Sequence, residues 1–188
     1  MAKLIDKFGR KISYLRLSIT EHCNYRCFYC RDDEHAPNCK REDILSYEDI
    51  QRIVRLFAEL GVSKIRLTGG EPLIRRGIVK IASLISSTPG ITDVPLSTNA
   101  HLLGKFADKL YKNGINRVNI SIDSLIPEKF KEITRGGDVH EVIKGIDAAI
   151  ASGMNPIKIN AVAMRGINDD EIESMIDFAI EKGIDIRF

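Results

Sequence analysis

The chain has 188 residues, of which 44% are hydrophobic and 29% charged, an ordinary globular composition that fits one domain with a sizeable core. No segment approaches the roughly 18–20 continuous apolar residues of a membrane span, and residues 1–10 lack the apolar run of a secretory signal, so a cytoplasmic location without a membrane partner is favoured. A net charge of +2 with no basic run argues against a nucleic-acid partner.

Strand and helix patterns alternate along the chain. They predict strand 14–20, helix 46–60, strand 64–68, helix 78–86, strand 94–99, helix 103–113, strand 117–123, helix 140–152, strand 156–163, helix 170–182 and strand 184–188. Ser46 and Asp49 indicate a capping box at the first helix. Because a helix separates each strand from the next, we expect parallel pairing with right-handed crossovers.

Polar residues within the strands help to decide between an open doubly wound sheet and a barrel. Strands buried on both faces are nearly all apolar, yet these strands contain Arg16, Arg66, Ser97, Asn119, Ser121, Lys158 and Asn160. The first strand also lacks the G-x-G-x-x-G segment of dinucleotide-binding sheets. We therefore predict an α/β fold, a partial TIM-like (β/α)6 barrel that forms one domain over residues 1–188 and stops at its sixth strand.

Three of the four cysteines lie directly after the first predicted strand, in the segment Cys23-x3-Cys27-x2-Cys30. Active sites of α/β folds lie at this end of the strands. In a chain without an export signal, such cysteines are better interpreted as metal ligands or reactive thiols than as disulfides. Three thiolates on one loop suit three irons of a cubane cluster, and they leave the fourth iron open to a substrate.

Structural zinc is the main alternative for these cysteines, with Cys39, His22 or His35 as a fourth ligand. Zinc sites usually combine two separated C-x2-C pairs, which this sequence lacks. We therefore expect Cys39 to be a free thiol in a polar loop.

A second signal, Gly69-Gly70-Glu71-Pro72, follows the second predicted strand. Two glycines permit a ligand to approach the backbone closely, and Glu71 is a candidate acceptor for a ligand ammonium group. On its own the segment is typical of any tight turn between a strand and a helix. Together with the cysteine segment it favours a binding site.

The cysteine segment, with Tyr29 before its last cysteine, and the GGEP segment resemble the radical S-adenosylmethionine superfamily. Within it, the chain resembles the GTP 3′,8-cyclases of molybdenum cofactor biosynthesis over about residues 6–188. This closer resemblance rests on seven segments in order: LRLSITEHCNYRCFYC, KIRLTGGEPLIRR, STN, RVNISIDSL, ITRG, PIKINAV and GINDDEI.

The resemblance implies a role for each matching position. A [4Fe–4S] cluster, whose open iron binds S-adenosylmethionine, would be held by Cys23, Cys27 and Cys30. S-adenosylmethionine would be contacted by Gly70, Ser121 and the backbone of Tyr29. GTP would be contacted by side chains that face the barrel interior: Arg16, Arg66, Ser97 and Lys158, with Arg187 as a further arginine of the cavity.

The resemblance also implies a reaction and its partners. The reduced cluster would cleave S-adenosylmethionine to a 5′-deoxyadenosyl radical, which would remove the 3′ hydrogen of GTP. The ribose radical would then attack C8 of guanine and give 3′,8-cyclo-7,8-dihydro-GTP. A flavodoxin or ferredoxin would donate electrons, and the family leaves room for a homodimer.

The given residues lack the C-terminal part that completes the barrel in this family. Three further cysteines for a second cluster and a Gly-Gly tail are lacking, so we expect a truncated form with weak or no turnover of GTP. Residues 31–44 also differ from the family, without an interpretation. Two other hypotheses stay open: a radical S-adenosylmethionine enzyme with another substrate, against which the cationic strand residues argue, and a non-enzymatic, metal-stabilised binding module.

Overall fold

A computed structural model describes residues 4–30 and 43–188 of the chain. The elements are, in order, β1 (Tyr14–Ser18), α1 (Tyr47–Glu59), β2 (Lys64–Thr68), α2 (Ile78–Ser86), β3 (Leu96–Thr98), α3 (Leu103–Lys112), β4 (Val118–Ser121), α4 (Pro127–Thr134), α5 (Val139–Ala151), β5 (Ile157–Asn160), α6 (Ile172–Lys182) and β6 (Asp185–Arg187). Within these ranges, none of the helices has both the length and the apolar character needed to cross a bilayer.

The six strands form one parallel sheet in the order β1-β2-β3-β4-β5-β6. The register places Arg16 opposite Arg66 and Asn119 opposite Lys158. Strands β1 and β6 lie at the two edges of the sheet. The predicted α/β fold with parallel strands and alternating helices is confirmed, and its open sheet is compatible with a partial (β/α)6 barrel.

The two faces of the sheet differ in polarity. One face is apolar, with side chains that are between 0% and 6% exposed: Leu17, Ile65, Leu67, Leu96, Val118, Ile120, Ile157 and Ile159. Neighbouring helices pack on one another, α1 on α2, α2 on α3 and α3 on α5, and together with the apolar face they form the core. The other face contains the polar strand residues that predicted a cavity.

Helix ends follow local signals in the sequence. The predicted capping box at α1 is present: the Ser46 hydroxyl accepts from the Asp49 N–H at 3.0 Å, and the Asp49 carboxylate accepts from the Ser46 N–H at 3.0 Å. Helix α4 was not predicted from the sequence. It has only eight residues, too few for a helical repeat of apolar positions to stand out, and its buried apolar side chains are Phe130 and Ile133.

Candidate functional site

The predicted site residues converge on one cavity at the C-terminal edge and polar face of the sheet. Its volume is about 570 Å³. Neither Lys158 nor Arg187 is among the residues that line it, whereas the other predicted site residues do: Cys23, Cys27, Cys30, Tyr29, Gly70, Ser121, Arg16, Arg66 and Ser97. Six of the seven polar strand residues, all but Lys158, therefore share one cavity, as the pattern of the strands predicted.

Lys158 lies beside this cavity rather than in its lining. It is level with Asn119 in the register, and its ammonium group forms an ion pair with the carboxylate of Asp185 on β6. This ion pair lowers the pKa of Asp185. Arg187, two residues farther along β6, is opposite Asn160, which lines the cavity.

The cysteine loop is held by the last turn of α4. The N–H groups of Arg26 and Phe28 donate to the carbonyls of Thr134 and Ile133, at 3.1 and 3.2 Å. The last carbonyls of a helix have no partner within the helix and need other donors. The N–H groups of the loop and the carbonyls of the helix therefore satisfy each other. Helix α4, which was not predicted from the sequence, thus holds the cysteine loop, which was.

The two glycines of the GGEP segment lie flush against the chain just before Cys23. The Gly70 N–H donates to the Thr20 carbonyl at 2.8 Å, and the Glu71 N–H donates to the His22 carbonyl at 2.8 Å. A Cβ on Gly70 would lie 2.3 Å from the His22 carbonyl oxygen, so no larger residue fits without moving the backbone. The sequence predicted that these glycines let a ligand approach closely. In the structure they also let the GGEP backbone lie close to the backbone just before Cys23.

Glu71 stabilises this turn from inside. The side chain is 1% exposed, and it accepts hydrogen bonds from the Leu73 N–H at 2.9 Å, the Thr98 hydroxyl at 2.7 Å and the Asn99 N–H at 2.7 Å. Burial raises the pKa of Glu71, and the three hydrogen bonds oppose that shift. Because both oxygens accept from the protein, Glu71 joins the ends of β2 and β3.

Asp123 is a site residue that the sequence analysis missed. It is 3% exposed and follows β4; one oxygen accepts from the Tyr29 hydroxyl at 2.5 Å and the other from the Val162 N–H at 2.8 Å. Burial raises the pKa of Asp123, and burial with the nearby carboxylate raises the pKa of Tyr29. Asp123 thereby joins the cysteine loop to the chain after β5.

Two further buried polar residues hold the loops after β4 and β5. Asn168 donates to the carbonyls of Asp123 and Val162 at 2.6 and 2.9 Å. Glu171 accepts from the Ser124 hydroxyl at 2.8 Å and from the Leu125 N–H at 2.9 Å. Both lie in the GINDDEI segment, whose resemblance was noted without a role for either side chain.

The cavity has a cationic character. Arg16 and Arg66 line it, and Arg66 donates to the Ser97 hydroxyl at 3.4 Å while its guanidinium lies 5.9 Å from the ring centre of Tyr14. Among the lining residues in the described part of the chain, Glu71 is the sole carboxylate, and it is buried. Arginine is well suited to phosphate groups because it donates two parallel hydrogen bonds, so the cavity favours an anion.

The three cysteines have the donor chemistry of an iron–sulfur site. Cys23, Cys27 and Cys30 line one cavity, and thiolates are the soft ligands that such clusters bind, each through a different iron. Burial, followed by the charges of Asp123, Cys23 and Cys30, raises the pKa of the metal-free Cys27 thiol to about 11. Cys39 and His35 lie outside the described residues.

Comparisons with known proteins show which sequences this chain resembles. Residues 17–179 match the family model of the Radical SAM superfamily. The chain is 52% identical over 186 residues to a GTP 3′,8-cyclase of Hydrogenovibrio crunogenus, covering 98% of this chain and 56% of the relative. It is 47% identical over 183 residues to a GTP 3′,8-cyclase of Alkaliphilus metalliredigens, covering 97% of this chain and 57% of the relative. The chain thus spans a little over half the length of these curated relatives.

A solved structure has a similar fold. Streptococcus suis SuiB bound to S-adenosylmethionine superposes with a TM-score of 0.73 at 23% identity, covering 92% of this chain and 37% of that chain. At this level of identity the likeness shows a common fold and no more.

Proposed function

The chain belongs to the Radical SAM superfamily, and we propose that it forms the radical S-adenosylmethionine core of a GTP 3′,8-cyclase of molybdenum cofactor biosynthesis, with residues 1–188 as one domain. The proposed reaction converts GTP to 3′,8-cyclo-7,8-dihydro-GTP. Support comes from the relatives of that name at 52% and 47% identity. The main structural support is one cavity that contains three cysteines together with Arg16 and Arg66.

The part of the cavity at the C-terminal edge of the sheet is the proposed cofactor site. Cys23, Cys27 and Cys30 would hold a [4Fe–4S] cluster, and S-adenosylmethionine would be contacted by Gly70, Ser121 and the Tyr29 backbone. When bound, the cluster would supply the electron that cleaves S-adenosylmethionine, and the 5′-deoxyadenosyl radical so formed would take the ribose 3′ hydrogen. The chain itself positions the cysteines, through the hydrogen bonds of the loop to α4 and of Tyr29 to Asp123.

The middle of the cavity is the proposed site for the triphosphate of GTP. Arg16 is opposite Arg66, while Ser97, Asn119 and Lys158 follow one another in the register. Ser121 lies two residues beyond Asn119, which is about 7 Å along a strand. The cationic side chains of Arg16, Arg66 and Lys158 are therefore about one layer of side chains deeper in the barrel than the proposed cofactor contacts. This would hold the triphosphate of GTP away from the ribose that reacts.

Partners of the whole protein belong to the same proposal. A flavodoxin or ferredoxin would supply the electron, and the assembly would be a homodimer. The support is the resemblance to the longer relatives.

Ligand binding and cofactor cleavage test the proposal separately. The anaerobically reconstituted chain, given dithionite and S-adenosylmethionine, should form 5′-deoxyadenosine, and Cys27→Ser should form none. Equilibrium dialysis should show that GTP binds more tightly than guanosine and that Arg66→Ala weakens GTP binding. Arg52→Ala, on the exposed side of α1, is the matched control.

The outcomes distinguish the alternatives. Formation of 5′-deoxyadenosine with equal affinity for GTP and guanosine would favour a different substrate. A chain without iron and without 5′-deoxyadenosine would favour the binding module.

A further inference from the structure

Asn99, the first residue after β3, is held in one orientation. Its backbone N–H donates to the Glu71 carboxylate at 2.7 Å, and its side-chain oxygen accepts from the His101 N–H at 3.1 Å. An amide side chain has one oxygen acceptor and one nitrogen donor. Because a backbone donor uses the oxygen, the nitrogen of the amide must point the other way, and this fixes the assignment of the two atoms.

The amide nitrogen of Asn99 faces the cysteine loop. It donates to the Asn24 side-chain oxygen at 2.9 Å and lies 3.9 Å from the sulfur of Cys23, within reach of an N–H···S hydrogen bond. The backbone N–H of Tyr25 donates to the same sulfur at 3.4 Å. Two N–H donors therefore lie at one sulfur, and one of them comes from a separate strand end.

We propose that Asn99 is a positioning residue that raises the reduction potential of the iron–sulfur cluster by donating a hydrogen bond to the sulfur of Cys23. This inference rests on the proposed cysteine ligand set. One electron added to the cluster increases the negative charge on its cysteine sulfurs, and N–H donors at those sulfurs stabilise the reduced form. Asn99 acts through Cys23 and has no need to touch the substrate.

A redox titration of the reconstituted chain, followed by electron paramagnetic resonance, tests this directly. Asn99→Ala should bind the same amount of iron as the wild type and have a more negative midpoint potential. Asn99→Asp keeps the acceptor for the His101 N–H and lacks the N–H donor, so its potential should shift in the same direction. Asn116→Ala is the matched control, because Asn116 is exposed and lies outside the lining of the cavity, so its potential should equal that of the wild type.

Iron content separates the possible failures. Equal potentials for the wild type and both Asn99 variants, at equal iron content, would overturn the proposal. Loss of iron from both Asn99 variants, while Asn116→Ala is fully loaded, would also overturn it and assign Asn99 a purely structural role. A wild-type chain that binds no iron would refute the cysteine ligand set itself, and the role of Asn99 with it.

Discussion

Single residues of the cysteine loop differ in what their loss should do. Cys23, Cys27 and Cys30 line one cavity, and each would bind a different iron, so serine at any one of them should abolish the cluster. We expect about four irons per chain after anaerobic reconstitution, because one three-cysteine loop holds one cluster. Iron and sulfide analysis with absorption near 400 nm provides the measurement.

Cys39→Ser is the control for this prediction, and it should retain the full iron content. Loss of the cluster in that variant would show that Cys39 is a ligand and would restore the zinc interpretation. A content near eight irons would contradict a single cluster.

Glu71→Gln should lower the stability of the protein. The carboxylate accepts three hydrogen bonds while 1% exposed, and the amide of glutamine replaces one acceptor oxygen with a donor. A buried donor left without a partner costs about 1–3 kcal/mol, so the free energy of unfolding should fall by about that amount. Urea unfolding of the metal-free protein measures it, with Glu132→Gln on the exposed side of α4 as the control. Equal losses in the two variants would contradict the role of Glu71.

For single residues, the sequence identified which residues belong to the site better than it identified the residues that they contact. The cysteines, Gly70 and the polar strand residues could be predicted because their spacing places them on one loop, one turn and one sheet face. Asp123 and Asn168 could not, because their roles depend on contacts to Tyr29 and Val162 that are distant in the chain. Glu71 was identified, but its partners at the end of β3, Thr98 and Asn99, were not.

Among whole elements, the strands and the longer helices follow directly from periodicity and capping. Strand β2 and helix α2 have the predicted bounds, whereas the other predicted strands extend farther than the observed ladders. Helix α4 begins at a proline and is only eight residues long. Its last turn matters because the carbonyls there accept hydrogen bonds from the cysteine loop. This is a tertiary contact, and no local pattern in the sequence indicates it.

Gly137→Ala should loosen the contact between α4 and the cysteine loop. A Cβ there would lie 2.5 Å from the Thr134 hydroxyl and 2.9 Å from both the Phe130 and Tyr25 rings. Phe130 is 1% exposed and Tyr25 is 6% exposed, so neither ring has free space into which to move. Hydrogen exchange measured by mass spectrometry should be faster in the peptide that contains Arg26 and Phe28.

Gly104→Ala in α3 is the matched control for this prediction. Its Cβ would meet only the Lys144 carbonyl, at 3.9 Å, so exchange in the cysteine loop should not change. Unchanged exchange in Gly137→Ala would mean that the turn after α4 does not hold the loop.

For the whole molecule, the contrast between the two faces of the sheet connects fold to function. Alternation within short strands gives an apolar face that packs on helices and a polar face that lines the cavity. Because successive parallel strands bring their C-terminal ends to one edge, residues far apart in sequence meet there. This is why the sequence could predict both a cofactor site at the C-terminal edge of the sheet and an anion-binding site in the interior of the barrel.

Residues 1–188 by themselves should cleave S-adenosylmethionine and yet cyclise little GTP. The cysteines, Gly70 and Ser121 share one cavity, so liquid chromatography should detect 5′-deoxyadenosine.

Strands β1 and β6 are open edges, and charged contacts to a triphosphate are screened where solvent enters. Ring closure needs C8 of guanine close to the ribose radical, and a misplacement of about 1 Å can cost on the order of 100-fold in rate. Water and reductant that enter at an open edge would also quench the radical. Abundant cyclised product from these residues alone, in a sample that also forms 5′-deoxyadenosine, would show that the open sheet already encloses GTP.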